Sequence, residues 1–219
     1  MVEALGTKRY LVHFIKKFRY LDFCLPEFES LVNLYFHQGK LPVATLRNQL
    51  YCQPRDTINV QRHPCVYVNL PGRLEVTEKV VKRSILIKEV IDVISEAKSY
   101  EQLLDNVDTE KLFPLLESGK SFKFNIEGIG RKVGVKEQIE IIESFGRFPF
   151  KPNINLVNPD MIFKIIENQE DHVIYFGLQL VDNRVEEDTY HYKYDLRKRP
   201  YLGPTSTDHE LAFLMANQG

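Results

Sequence analysis

The sequence predicts an α+β fold built from two modules, and three observations carry that expectation. Short β-branched and aromatic runs alternate with amphipathic segments of helical period along all 219 residues. Up to about residue 96 these runs follow a βαββαβ order, which predicts a ferredoxin-like domain at 1–96. A fresh mixture of helices and strands begins after Glu96 to Tyr100, predicting a second α/β domain at 97–199 and a linker with a helix at 200–219.

RYLVHFIKKF (9–18) is β-rich and roughly alternating. LPEFESLVNLYFHQG (25–39) places Phe28, Leu31, Val32, Tyr35 and Phe36 at helical spacing, with Pro26 suited to a first turn and Gly39 to the exit. Leu41 to Leu50 reads as a weaker strand. CVYVNL (65–70) is a short strand closed by Pro71-Gly72. EVTEKVVKRS (75–84) sets Val76, Val80 and Val81 on one side of a helix, and ILIKEVIDVI (85–94) is β-branched enough for a buried strand.

In the second module, residues 99–118 predict two short helices, the second bent or delayed by Pro114. SFKFNIEGI (121–129) alternates Phe122, Phe124 and Ile126 with polar residues, as a half-buried strand does. VKEQIEIIESF (135–145) predicts a helix with Ile139, Ile142 and Phe145 near its apolar face. NPDMIFKIIEN (158–168) predicts a helix capped by Asn158 with Pro159 at its first position. HVIYFGLQLV (172–181) and TYHYKYD (189–195) predict strands.

Composition narrows the function classes. The chain is 43% hydrophobic and 27% charged, with a formal net charge of −1, so it is no polycation and any polyanion site must be a local patch. Its apolar runs fall far short of a bilayer span and its first residues lack a signal-peptide layout, which predicts a cytoplasmic or nuclear protein, with the cytoplasm as the expected setting and no membrane partner. Cys24, Cys52 and Cys65 have no CxxC spacing and read as reduced thiols; the scattered histidines predict no metal site. No nucleophile motif stands out, and no catalytic residue is predicted.

Two basic segments remain. Lys193, Arg197, Lys198 and Arg199 lie among Tyr192, Tyr194 and Tyr201, a mixture suited to phosphate contacts and base stacking. The same residues could equally pair with the acidic segment Asp182 to Asp188. GIGRKVG (128–134) fits neither GxGxxG nor a P-loop and reads as a strand-to-helix loop, although Arg131, Lys132 and Lys136 could face a nucleic-acid backbone. At the end of the chain, Thr207 to Glu210 fits a capping box, and Leu211, Leu214 and Met215 form an apolar stripe. That stripe must pack either on the second module or on a further domain.

YDLRKRPYLGPTSTDHELAFLMAN (194–217) closely resembles the linker of the eukaryotic and archaeal tRNA (guanine-N2)-methyltransferases that modify guanosine 10 of tRNA. RYLVHFIKKFRYLDFCLPEFESLVNLY resembles the N-terminus of that family, VVKRSILIKEVIDVI its next helix–strand unit, and VKEQIEIIESFGRFPFKPNINLVNPDMIFKIIEN with IYFGLQLV its THUMP domain. The resemblance implies a ferredoxin-like domain, a THUMP domain, and then a methyltransferase domain that this sequence lacks, with neither a glycine-rich S-adenosylmethionine loop nor an Asn/Asp-Pro-Pro-Tyr/Phe motif. It therefore implies a tRNA-binding, substrate-positioning region that reads the acceptor stem and 3′ end and is inactive alone. In the complete enzyme, Thr205, Ser206, Thr207 and Asp208 would approach S-adenosylmethionine, and a small zinc-binding activator subunit would dock on the missing domain. A stand-alone RNA- or protein-binding adaptor is the alternative.

Overall fold

The structure, a computed structural model, describes residues 6–16, 18–151, 153–183 and 194–218. Apart from Tyr194 and Asp195, the expected strand over 189–195 lies outside these residues, as does most of the acidic segment before it. The architecture is α+β, with six strands and seven α-helices among the described residues. No described helix is long and apolar enough to cross a membrane. The chain forms two compact units: the first runs to Val90 and resumes at Leu180, and the second spans Ile91–Gln179.

In the first unit, β1 (Thr7–Phe14) leads through a 3-10 turn (Phe18–Phe23) into α1 (Cys24–His37) and α2 (Val43–Leu50). Then come β2 (Cys65–Pro71), α3 (Leu74–Arg83) and the start of β3 (Ile87–Ala97). The strands stand in the order β2-β1-β3. β1 and β2 are antiparallel, with Arg9 opposite Asn69, Leu11 opposite Tyr67 and Val12 opposite Val66. Period-two alternation sends Tyr10, Val12, Phe14, Val66, Val68 and Leu70 into one core with the apolar faces of α1 and α3.

The expected strand at Leu41 to Leu50 is instead α2. Leu46 and Leu50, four residues apart, are its buried positions, so the operative period is helical and Pro42 stands at the N-cap. The first unit therefore reads strand–helix–helix–strand–helix–strand.

The second unit holds the end of β3, then α4 (Tyr100–Asp105), α5 (Thr109–Glu117), β4 (Phe122–Ile129), α6 (Val135–Ser144), β5 (Met161–Asn168) and most of β6 (Val173–Asp182). Its strands run in the order β3-β6-β5-β4. Because β4 and β5 are parallel, the chain must cross over between them, and α6 lies in that crossover. β5 and β6 are antiparallel neighbours. Phenylalanine rings fill the core; the centroids of Phe145 and Phe176 are 4.6 Å apart and those of Phe122 and Phe150 5.2 Å. Gly177 allows β6 to approach β3, since a Cβ there would lie 2.4 Å from the Asp92 carbonyl oxygen.

The expected helix at 158–168 is a strand. Phe163 and Ile165 are fully buried between β4 and β6, and a short β-branched run buried on both faces mimics a buried helix in periodicity. Asp160, read as part of a helix start, instead accepts hydrogen bonds from the Ser121 N–H (2.8 Å) and Oγ (2.6 Å). On α6 the apolar face is also shifted: Ile141 and Phe145 are buried, whereas Ile139 and Ile142 are exposed.

Candidate nucleic-acid interface

The glycine-rich loop after β4 is built for a tight turn. A Cβ on Gly128 would lie 2.4 Å from the Arg131 carbonyl oxygen, and Gly130 holds φ +85°. The turn delivers Arg131 between two carboxylates. Its Nε donates to Glu167 Oε1 at 2.6 Å, its Nη1 to Glu137 Oε2 at 2.9 Å, and its Nη2 to both residues. The Tyr100 hydroxyl donates to Glu167 Oε2 at 3.0 Å. Hydrogen bonds to the two carboxylates raise the Arg131 pKa, and the guanidinium holds that of Glu137 below the ordinary carboxylate value. Burial, then the adjoining Glu167, pushes Tyr100 up. Arg131 is thus a structural clasp joining α4, β5 and α6.

Lys132 and Lys136 differ. Both are exposed, and neither has an ion-pair partner among the described residues. They follow the clasp on the loop and on the first turn of α6, in the second unit.

Arg197, Lys198 and Arg199 belong to the first unit, at a 3-10 turn (Leu196–Lys198); Lys193 lies outside the described residues. Asp195 caps the turn, accepting the Arg197 N–H at 2.9 Å, and its carboxylate pairs with the Arg197 guanidinium at 2.7 Å. These bonds hold the Asp195 carboxyl well below its ordinary range. Arg197, Lys198 and Arg199 are all exposed, and the Arg199 guanidinium has no acceptor among the described residues.

Beyond them, Thr205, Ser206 and Thr207 are exposed, and Ser206 Oγ donates to the Gly203 carbonyl at 2.9 Å. The N-cap of α7 (His209–Gln218) is Asp208, not the expected Thr207: Asp208 Oδ1 accepts the N–H groups of Glu210 (3.0 Å) and Leu211 (3.2 Å). An aspartate one residue nearer the helix displaces the threonine and removes the capping box. The helix packs within the first unit rather than on the second module, through buried Leu214 and half-buried Phe213, while Met215 faces solvent. Asn217 Nδ2 donates to Glu27 Oε1 at 2.7 Å, and Arg83 Nε donates to Asn217 Oδ1 at 2.8 Å.

Among the described residues, each unit carries a cleft. One of about 320 Å³ in the first unit is lined by Leu21, Asp22, Leu25, Arg55 and Asp56 among others, with Arg55 donating to Glu29 at 3.1 Å. One of about 120 Å³ in the second unit has apolar walls (Leu115, Leu116, Phe122, Met161) with Lys120 and Lys151 in its lining. Neither lining brings together a nucleophile and a base. The arrangement can hold anions at exposed cations. Sequence reading passed over Arg9 on β1 and Tyr67 on β2, which only the strand register brings together.

A family model described as the Tmrp11 THUMP N-terminal domain matches residues 57–180, more than half of the chain. The chain is 27% identical over 231 residues to tRNA (guanine(10)-N(2))-methyltransferase TRMT11 of Homo sapiens, covering 100% of this chain and 46% of that protein. The same protein of Pongo abelii gives the same identity and coverage. The tRNA (guanine(10)-N(2))-methyltransferase of Schizosaccharomyces pombe is 29% identical over 143 residues, covering 62% of this chain and 30% of that protein. The chain spans about half the length of the TRMT11 proteins it matches.

Proposed function

Because the chain belongs to the Tmrp11 THUMP N-terminal domain family, we propose that it is the tRNA-binding, substrate-positioning region of a tRNA guanosine N2-methyltransferase acting at position 10. In this reading it holds the acceptor stem and 3′ end, so that the distance from that grip to guanosine 10 selects the nucleotide. A-form RNA hides its base edges in a deep groove, so recognition by backbone and shape suits the task. The observation that carries the reading is a set of exposed cations, Lys132, Lys136 and Arg199, with no internal partner among the described residues. In the same chain Arg131 and Arg197 are bound to carboxylates. Lys198 and Lys193 would extend the basic arm of the first unit.

The catalytic step belongs to the whole protein. There the methyl donor is S-adenosylmethionine, with the exposed Thr205–Thr207 segment and Asp208 set against it; Asp208 keeps one oxygen on the helix cap. A small zinc-binding activator subunit would dock outside this chain, and the setting is cytoplasmic. One observation favours a second reading, a protein-binding adaptor: Val135, Ile139 and Ile142 leave an exposed aliphatic stripe along α6.

The test is a fluorescence-anisotropy titration of the chain with a tRNA transcript at two salt concentrations. Binding should weaken as salt rises, because neutralised phosphates release counterions. Changing Arg197, Lys198 and Arg199 together to Ala should lower affinity without lowering the melting temperature. Binding that is absent, or indifferent to salt, counts against the reading.

A further inference from the structure

Arg9 and Tyr67 meet on the face of the β1–β2 pair opposite the helices. Arg9 stands opposite Asn69 and Leu11 opposite Tyr67, so the arginine reaches its tyrosine along the diagonal of the ladder. The neighbouring side chains Tyr10, Val66 and Val68 point the other way, into the core. The Arg9 guanidinium carbon lies 3.7 Å from the centre of the Tyr67 ring. At that distance a planar cation rests against the ring.

We propose that Arg9 and Tyr67 form a stacking platform for an unpaired RNA nucleotide, a site that deepens the tRNA-binding reading and rests on it. Three features carry this. Arg9 is exposed, and its contact with Tyr67 is its one side-chain interaction among the described residues, so the five N–H donors of its guanidinium have no protein acceptor there. Arg47, Arg55 and Arg131, by contrast, are all held by carboxylates. Tyr67 is half-buried in β2, so the ring that supports the guanidinium is itself held by the sheet. β2 is the last strand in the sheet order, but Tyr51 bridges its Val68 on the outer side, so an RNA strand would approach the pair over the exposed Arg9 on the sheet face rather than along the edge.

The chemistry selects the ligand. A pocket for free phosphate converges several donors on one point. Here a single planar cation is supported on one face by an aromatic ring, and its other face suits a base. Its in-plane N–H groups then lie beside that nucleotide's phosphate or sugar. Duplex RNA, whose internal bases are already stacked on both sides, offers a free face only at its ends.

The experiment compares the full chain with Arg9→Ala, Arg9→Lys, Tyr67→Ala and Tyr67→Phe. The probes are a fluorescein-labelled oligo(A) of about twelve nucleotides, a blunt RNA duplex and a tRNA transcript. Arg9→Ala should weaken oligo(A) binding about tenfold, the loss of roughly one stacked base, and leave duplex binding unchanged. Arg9→Lys should lose nearly as much, because an ammonium carries the charge without the plane. Tyr67→Phe should bind as wild type, and Tyr67→Ala should weaken binding several-fold. A 2-aminopurine placed in the oligonucleotide should be quenched by wild type and not by Arg9→Ala. If Arg9→Lys binds like wild type, or duplex binding falls equally, the site is only a charge and the proposal is overturned. If wild type binds tRNA while Arg9→Ala leaves oligo(A) binding intact, the platform fails and the tRNA reading stands. No tRNA binding by wild type defeats both.

Discussion

Glu27 has no solvent exposure, yet its carboxylate accepts hydrogen bonds from Ser84 Oγ (2.6 Å), Ile85 N (2.9 Å), Leu86 N (3.1 Å) and Asn217 Nδ2. A buried carboxylate persists when its lone pairs are filled in this way. None of these partners lies within fifty residues in sequence, so the local spacing of α1 does not announce them. Arg131 follows the same rule, since its partner Glu167 stands thirty-six positions away. A residue's type and local spacing were legible in the sequence; its long-range partner was not. Cysteine chemistry makes the point testable. Cys24 is fully buried, and burial, reinforced by Glu27 and Asp22, pushes its thiol from 9.0 to about 12, whereas Cys52 is exposed. Alkylation with iodoacetamide near pH ~8 should modify Cys52 rapidly and leave Cys24 intact until the chain unfolds. The sign of the pH effect follows. Below 9.0 the thiol is neutral in both states; above it the unfolded chain ionises first, so this group's share of stability is lost between 9.0 and about 12. Burial, then Glu29, raises the Tyr51 pKa, which acts in the same direction. Melting temperatures should therefore fall with pH above 9.0, and a flat alkaline profile would contradict the burial of both groups.

At the scale of elements, the sequence disclosed the strands whose two faces differ and misjudged segments whose pattern fits two periods. β2 alternates cleanly and was legible; Met161–Asn168 is apolar on both faces and follows an Asn-Pro pair, so it resembled a helix start. Val43–Leu50 has only two buried positions, too few to establish a period. At α7 the helix was legible but its cap and packing partner were not, because both depend on which residue reaches the first unit's core. Asp208→Ala should cost about 1 kcal/mol of unfolding free energy, and Thr207→Ala only a few tenths. Leu214→Ala should cost about 2–4 kcal/mol, since the side chain is 2% exposed, while Leu211→Ala at 37% should cost well under half of that. Urea titrations of the four variants would check all of this. Comparable losses at Leu211 and Leu214 would mean that the helix is not seated as described.

For the molecule as a whole, a net charge of −1 requires that polyanion binding come from cations not already committed within the fold. Four arginines are committed in this way: Arg47 and Arg55 to the buried Glu29, Arg131 to Glu137 and Glu167, and Arg197 to Asp195. Lys132, Lys136 and Arg199 are exposed and not held in this way, and three cations neutralise only a few phosphates. The slope of log affinity against log salt should be shallow, close to −0.7 to −0.9 for each phosphate contacted. Each of Lys132→Ala, Lys136→Ala and Arg199→Ala should make that slope less steep by about one, with the melting temperature unchanged. Arg131→Ala should do the reverse. Its guanidinium is held by two carboxylates, so its loss leaves the slope in place but removes a clasp of three elements, lowering the melting temperature and exposing Glu167 to repulsion from Glu137. Measuring slope and melting temperature on the same four variants separates binding cations from structural ones. Should Arg131→Ala flatten the slope at constant melting temperature, the division between the two sets would be wrong, and the glycine-rich loop would belong to the RNA-binding surface after all.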